Sequence, residues 1–393
     1  MGLHGLVVKL IDVTSTAGVV AKSGSTGLVQ VWALDVLVTL AVGGGLTLLA
    51  DRVSRSKLLP RLLILVGLGY AGVAALLWSQ AAPTLSYWLL YMVSTVEVAA
   101  IPVTAWAIAT DTIARSDNIK WFTRIAAAET VADLLGYSLA LGAGELRGVA
   151  AEHDAALVAL SAAICFGSAA IARRRLPASP PQRAEAPPPL RQALDRTPWL
   201  RPMVVRVTAQ YAAWVALGWA AMRDVELETA EDEGGFRRWY AIYSLTSTVA
   251  VLAGQALLPR WLGRLDRWQS TLIMPSYVIF ACSLAVATQN PRLTLAALAG
   301  YFVVSHACDA PLRRSALADL DEGVRGRLAV ILDVHAYAIG SLLGTALVMA
   351  GDAWLPAGRA RQGVAVAAVA LGVGQWLAAR TAQQRARVPK QIQ

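Results

Sequence analysis

Eleven stretches of this chain run for about twenty residues with few or no charges. They lie at about 28–50, 61–79, 84–110, 122–144, 155–172, 202–222, 239–259, 269–288, 291–312, 327–350 and 362–379. A bilayer core roughly 30 Å thick needs about 20 apolar residues in a helix to cross it. Lipid offers the backbone no partner, so each stretch is expected to be helical. Residues 1–20 form a twelfth, weaker stretch that Lys9 and Asp12 interrupt. It reads as a short, degenerate or truncated first helix, and without a basic leading region it does not read as a signal peptide. Of the 393 residues, 56% are hydrophobic and 16% charged, where soluble domains carry about a quarter charged. Too few charges remain to cover soluble domains, which excludes a soluble enzyme. The expected fold class is an all-α polytopic membrane protein.

The net charge of +9 is distributed as topology charge, not as a nucleic-acid-binding face. One set of gaps holds 25 of the basic residues and the other set 8, with Lys9 and Arg206 inside apolar stretches. The basic set belongs in the cytoplasm, which places the C-terminus inside. The longest gap, 173–201, carries seven of the seventeen prolines and the run Arg173, Arg174, Arg175. It reads as a semi-rigid linker between an N-terminal bundle at 1–172 and a C-terminal bundle at 202–380, with a tail at 381–393. The alternative is a docking site for a cytoplasmic partner. On the other side, Asp224 to Glu233 holds six acids in ten positions, read as a solvated loop or a gate. Cys165, Cys282 and Cys308 lie in apolar stretches without CxxC spacing and are expected to be reduced core residues. Gly43, Gly44 and Gly45 suit close helix packing.

An internal repeat is visible. DTIARSDNIKWFTRIAAAETVADLLG (111–136) resembles ALADLDEGVRGRLAVILDVHAYAIG (316–340), and at an offset of 204 Glu129 falls on Asp333 and Gly136 on Gly340. Basic turns also recur at 50–63 and 258–270. Two pseudo-repeated six-helix bundles joined by a long cytoplasmic loop describe the major facilitator architecture.

The same segments carry a narrower likeness. KWFTRIAAAETVADLLG (120–136), EDEGGFRRWYAIYSLTSTVAVLAGQALLPRWLGR (231–264) and DAPLRRSALADL…VRGRLAVILDV…GSLLG (309–344) resemble helix regions of the ATP/ADP translocase family. Ala126, Ala127 and Ala128 stand where that family has a Gly-rich run, and Trp121 where it has a second basic residue. Lys9 and Asp12 look like the basic–acidic pair of its first helix. The resemblance implies a transporter fold and nucleotide exchange.

Ionisable groups within the membrane are functional candidates, because each costs at least about 2.5–3.5 kcal/mol to insert. Asp12, Asp35, Glu97, Glu129 and Asp133 lie in the first half; Arg206, His306, Asp309, Asp333 and His335 lie in the second. Glu129 and Asp133 share a helical face, and their repulsion favours holding a proton or a cation, unless Arg124 or another basic side chain neutralises them. Lys9, Arg124, Arg206, Arg313 and Arg325 are the candidates for gripping an anionic substrate, since Arg makes bidentate contacts to phosphate and carboxylate. Against this, Arg206 could snorkel to the interface, and Arg313, Arg314, Arg325 and Arg327 could be topology charges. Asp12, Glu97, Glu129, Asp133, Asp309 and Asp333 are the coupling or gating candidates. No nucleotide-loop, metalloprotease or hydrolase motif occurs, and neither metal nor cofactor is expected. Thirteen Trp accompany five Phe, many at stretch ends as an interfacial belt, whereas Trp106, Trp214 and Trp219 lie deeper.

The expected function is secondary transport of a small anionic, nucleotide-like metabolite across a bacterial inner membrane by alternating access. Its expected partners are the bilayer and that substrate, with no nucleic acid. The alternatives are a transporter-derived scaffold without transport activity and a lipid or glycolipid exporter.

Overall fold

The computed structural model describes residues 2–50, 53–112, 118–145, 150–176, 197–232, 234–262, 267–318, 328 and 331–387. Within these ranges the side chains of Trp106, Arg124 and Asp333, among others, lie outside the described residues, as do Arg325 and linker residues 177–196. The described regular structure is helical: α1 (Gly2–Ala50), α2 (Arg55–Ser79), α3 (Pro83–Thr112), α4 (Asn118–Glu145), α5 (Ala150–Arg175), α6 (Leu200–Glu228) and α7 (Gly235–Leu262). These are followed by α8 (Ile273–Ala287), α9 (Pro291–Val304), α10 (Ala310–Ala318), α11 (Ala336–Trp354) and α12 (Ala357–Arg387). Two π-helical turns interrupt the second half, Ser305–Asp309 between α9 and α10 and Ile331–His335 before α11. Among the described residues, nine helices are long and apolar enough to cross a membrane. The charge-bearing α4 and α6 are not among the nine, although they run to 28 and 29 residues.

α1 is two spans joined at a break. Gly24 takes φ 68, ψ 179, a left-handed conformation that a side chain disfavours, and the chain turns there between residues 2–23 and 25–50. At about 1.5 Å per residue the first part is about 33 Å long. Val7, Leu10, Ile11, Val13 and Val19 are fully buried on all its sides, so the stretch read as a weak helix is the best-buried part of its bundle. Local chemistry sets other ends. Gln80 closes α2 in the left-handed region, its N–H donating to the Leu77 carbonyl. Asn290 caps α9 by accepting from the Arg292 N–H at 2.9 Å, with Pro291 at the first position.

Two compact units result, Met1–Ala184 with Thr229–Leu245, and Glu185–Glu228 with Thr246–Gln393. In the first, α1 packs on α3, α4 and α5, and α2 on α3 and α5. Leu10 and Val13 meet Tyr137 and Ala140 of α4 and Ala241 of α7. In the second, α6 packs on α8, α9, α11 and α12. Leu200, Met203 and Val207 of α6 meet Leu317, Leu328, Leu332 and Ala336.

The repeat seen in sequence recurs as packing within each unit. A Cβ on Gly136 of α4 would lie 2.7 Å from the Leu6 carbonyl oxygen and 3.0 Å from Lys9 Cβ of α1. A Cβ on Gly340 of α11 would lie 2.3 Å from the Thr208 carbonyl oxygen and 2.8 Å from Tyr211 Cβ of α6. Both glycines let one helix lie directly on the backbone of the next. The Gly43, Gly44 and Gly45 expectation is corrected. A Cβ at any of the three would meet nothing within 4 Å among the described residues, so no close helix contact requires them. Trp78 and Trp354 are 68% and 83% exposed, as an interfacial belt demands, while Trp219 is buried and Trp214 packs edge-on to Phe302. Cys165, Cys282 and Cys308 are buried free thiols.

These contacts set the first expected outcome. Gly340→Val, which forces α11 off α6, lowers unfolding stability by about 1–3 kcal/mol, whereas Gly43→Val stays within about 0.5 kcal/mol. Thermal unfolding of the detergent-purified chain reads both.

Candidate functional site

Each unit gathers its polar side chains into small knots between helices. In the first unit, Glu97 of α3 is almost fully buried. Its Oε1 lies 2.9 Å from His4 Nδ1 of α1, and its Oε2 accepts the hydroxyl of Tyr70 from α2. One turn along α1, Lys9 Nζ stands 4.0 Å from Asp133 Oδ2 of α4 and 5.7 Å from the centre of the Tyr137 ring. Gly5 makes room for this acidic face: a Cβ there would lie 2.6 Å from Asp133 Oδ1 and 3.5 Å from Glu129 Cγ. Asp12 Oδ2 lies 3.4 Å from the Tyr240 hydroxyl of α7. At the start of α5, fully buried Asp154 accepts at Oδ2 from both the Tyr87 hydroxyl and Arg237 Nη2, each at 2.6 Å.

In the second unit two guanidinium–carboxylate pairs differ in kind. Arg361 of α12 grips Asp224 of α6 as a fork: Nε reaches Oδ1 at 2.6 Å and Nη2 reaches Oδ2 at 2.6 Å. Its remaining donors meet the carbonyls of Ala285 at 2.7 Å and Thr288 at 2.8 Å, and the Thr294 hydroxyl completes Asp224 Oδ2 at 3.0 Å. This bidentate pair ties α6, α12 and the end of α8 to the start of α9. Arg206, fully buried on α6, makes a single bond from Nη2 to Asp309 Oδ1 at 2.7 Å, and Nε meets only the Met203 sulfur at 3.2 Å. Arg313, one turn beyond Asp309, brings Nη1 to 3.0 Å from Asp309 Oδ2.

Several sequence expectations change. Arg206 does not snorkel; it turns inward to an acid 103 positions away. The basic side chain beside Asp133 is Lys9, within the alternative that a basic residue neutralises the pair, while the Arg124 side chain lies outside the described residues. Asp224 belongs not to a solvated loop but to a saturated interior pair. Asp35 accepts from the Thr95 hydroxyl at 2.5 Å, and the His306 ring stacks on Phe302 with centroids 6.0 Å apart. Asp333 and Arg325 lie outside the described residues, so their place relative to Arg206 is not described. Sequence reading missed His4, Tyr70, Asp154, Arg237, Tyr240 and Arg361. Each is either an ordinary-looking polar residue near a stretch end or a partner whose acid lies far along the chain. Gln210, a lone amide in an apolar run, is the one missed residue with a visible signal.

The sequence matches no family model, and no curated protein matches it. Solved structures do match over nearly the whole chain. A nucleoside transporter, NupG, aligns at TM-score 0.67 and 12% identity over 97% of each chain. A D-xylose-proton symporter aligns at 0.69 and 13% over 97% of this chain and 95% of that one. A bacterial homologue of the iron transporter ferroportin, in an inward-facing state, aligns at 0.70 and 10% over 98% of each. The chain has the major facilitator fold. At such identities the likeness carries the fold alone.

The saturated pair gives a second expected outcome. Asp224→Ala leaves the Arg361 guanidinium buried without its carboxylate and lowers stability by about 3–5 kcal/mol. Asp224→Leu with Arg361→Met recovers most of that loss, as thermal unfolding of the single and double variants will read.

Proposed function

We propose that the chain is a secondary transporter that moves a small anionic metabolite across a bacterial inner membrane by alternating access, without covalent chemistry. The carrying observation is Arg206, a guanidinium with no exposed surface inside the second unit and with a single carboxylate bond. A cation so placed is expensive in a membrane protein and marks a ligand or ion path. Lys9 supplies a comparable cation in the first unit, beside Asp133. The basic set of Lys9, Arg124, Arg206, Arg313 and Arg325 receives the substrate. Glu97 with His4, Asp12 with Tyr240, and Glu129 with Asp133, together with Asp309 and Asp333, couple protons or exchange partners as the units move.

The fold supports a transporter, and the likeness of 120–136, 231–264 and 309–344 to the ATP/ADP translocases favours a nucleotide as cargo and exchange as the mode. The basic loops support a cytoplasmic C-terminus, with bundles at 1–172 and 202–380 and the linker 173–201 facing the cytoplasm.

Counterflow uptake in proteoliposomes tests the reading, with labelled ADP and ATP beside a panel of small organic anions. Saturable uptake of one of them is expected. Arg206→Gln lowers it about tenfold or more, since a hydrogen bond to a charged group contributes about 1.5–3 kcal/mol. Folded protein that takes up none of the panel overturns the reading.

A further inference from the structure

The two guanidinium–carboxylate pairs of the second unit lie in one bundle, bury their atoms equally and end in opposite states. Around Arg361 the hydrogen bonding is complete in both directions: both carboxylate oxygens of Asp224 are taken and both amino groups have acceptors. Around Arg206 it is not. Of its five N–H donors, one meets Asp309 and one a thioether sulfur, a weak acceptor, and Nη1 has no partner among the described residues. Gln210, one turn further along α6, is fully buried beside Asp309 and Tyr301, and neither its amide nitrogen nor its amide oxygen makes a well-aligned hydrogen bond among the described residues. Asp309 Oδ2 is within ion-pair distance of Arg313 but is not aligned for a hydrogen bond. Buried polar groups left open are costly and need a reason, and a structural staple supplies none. The Arg361 pair shows how such a staple is built in the same unit.

We propose that Arg206, Gln210 and Arg313 form an oxyanion subsite whose resident occupant is Asp309, and that a carboxylate or phosphate group of the cargo enters by displacing it. The donors decide the ligand class. Two guanidiniums and an amide N–H demand an acceptor, and the charge that replaces Asp309 must be negative, which rules out a neutral sugar or a cation. An oxyanion with several acceptor oxygens can engage Nη1 and Nη2 of Arg206 together as a fork, which Asp309 does not do.

The backbone around Asp309 suits its withdrawal. Asp309 is the last residue of the π turn Ser305–Asp309, and such turns recur at functional sites. A π turn holds one residue more than an α turn, so its return to α geometry swings the following side chains by about 100° around the axis. That motion takes the Asp309 carboxylate off Arg206 without unfolding the helix. The inference deepens the transporter reading and rests on it only in taking the visiting anion to be cargo.

The test is a binding measurement that needs no transport. The full chain, purified in a neutral detergent, is unfolded thermally with inorganic phosphate, acetate or chloride at matched ionic strength. Asp309→Asn removes the internal anion, so it is expected to melt below the wild type. Phosphate or acetate should then raise its midpoint saturably, with an apparent affinity at least tenfold tighter than for the wild type, while chloride does not. Adding Arg206→Gln should abolish the gain. Absence of rescue, or rescue that survives Arg206→Gln, overturns the subsite. Should Asp309→Asn not fold, Gln210→Ala keeps the Arg206–Asp309 pair and must weaken the smaller phosphate response of the wild type; an unchanged response overturns the subsite equally. A parallel series with added phosphatidylglycerol separates the sources, and rescue by that lipid alone would assign a headgroup site and overturn the cargo reading. Phosphate binding without uptake in proteoliposomes would leave the subsite standing and remove the transporter reading, so the two failures are distinct.

Discussion

In a bilayer, a polar group that finds no partner within the protein finds none at all, and this condition governs how both units are built. The backbone meets it by staying helical. Ionised side chains meet it by pairing across helices, so each buried charge also records which helices touch. Glu97 ties α3 to α1 and α2, Asp133 ties α4 to α1, and Asp224 ties α6 to α12. Each tie gives a buried charge a counterpart within the protein, and the ties differ in how completely they are hydrogen-bonded. The Asp224–Arg361 fork is filled on every side. The Arg206–Asp309 contact is filled on one side, and its open donors are what set it apart from that fork.

The repeat works through the same condition at a smaller scale. Lipid gives helices little hydrophobic reason to associate, so they approach through small residues. Gly136 lies on the backbone of α1 and Gly340 on that of α6. These contacts place α4 beside Lys9 and α11 beside α6, where the charged residues are. The first part of α1 depends on this as much as any element. Its residues 10–20 are almost all buried because α3, α4 and α5 all pack against it. A helix that looks poor as an isolated membrane segment, with Lys9 and Asp12 in it, is stable because Asp133, Tyr137 and Tyr240 meet those two side chains.

Much of the fold was legible in the chain because its signals are local. Apolar length, basic loops and the 204-residue offset each need only neighbouring residues or a comparison of two segments. The site was less legible. Glu97, Asp133 and Asp309 were found, since a carboxylate in an apolar run stands out, but Asp154, the interior place of Asp224 and most of the partners were not. His4, Arg237 and Arg361 are separated from Glu97, Asp154 and Asp224 by 93, 83 and 137 positions. Gly43, Gly44 and Gly45 misled in the opposite direction. Their spacing suits close packing, yet a Cβ on any of them would meet nothing within 4 Å among the described residues, because a glycine permits a contact without creating one.

By itself the sequence determined that this chain is a helical, multi-pass membrane protein with a repeated plan and with charges where lipid does not tolerate them alone. Those properties follow from hydrophobic length and local composition, which act before any two helices meet. Only the tertiary structure decided which charge answers which. Pairing depends on the side of each helix that faces its neighbour, and that is set by close contacts such as Gly136 on Leu6 and Gly340 on Thr208. It is also why Arg361 is a closed structural pair and Arg206 an open one, a difference of hydrogen-bond geometry that no residue type or spacing encodes.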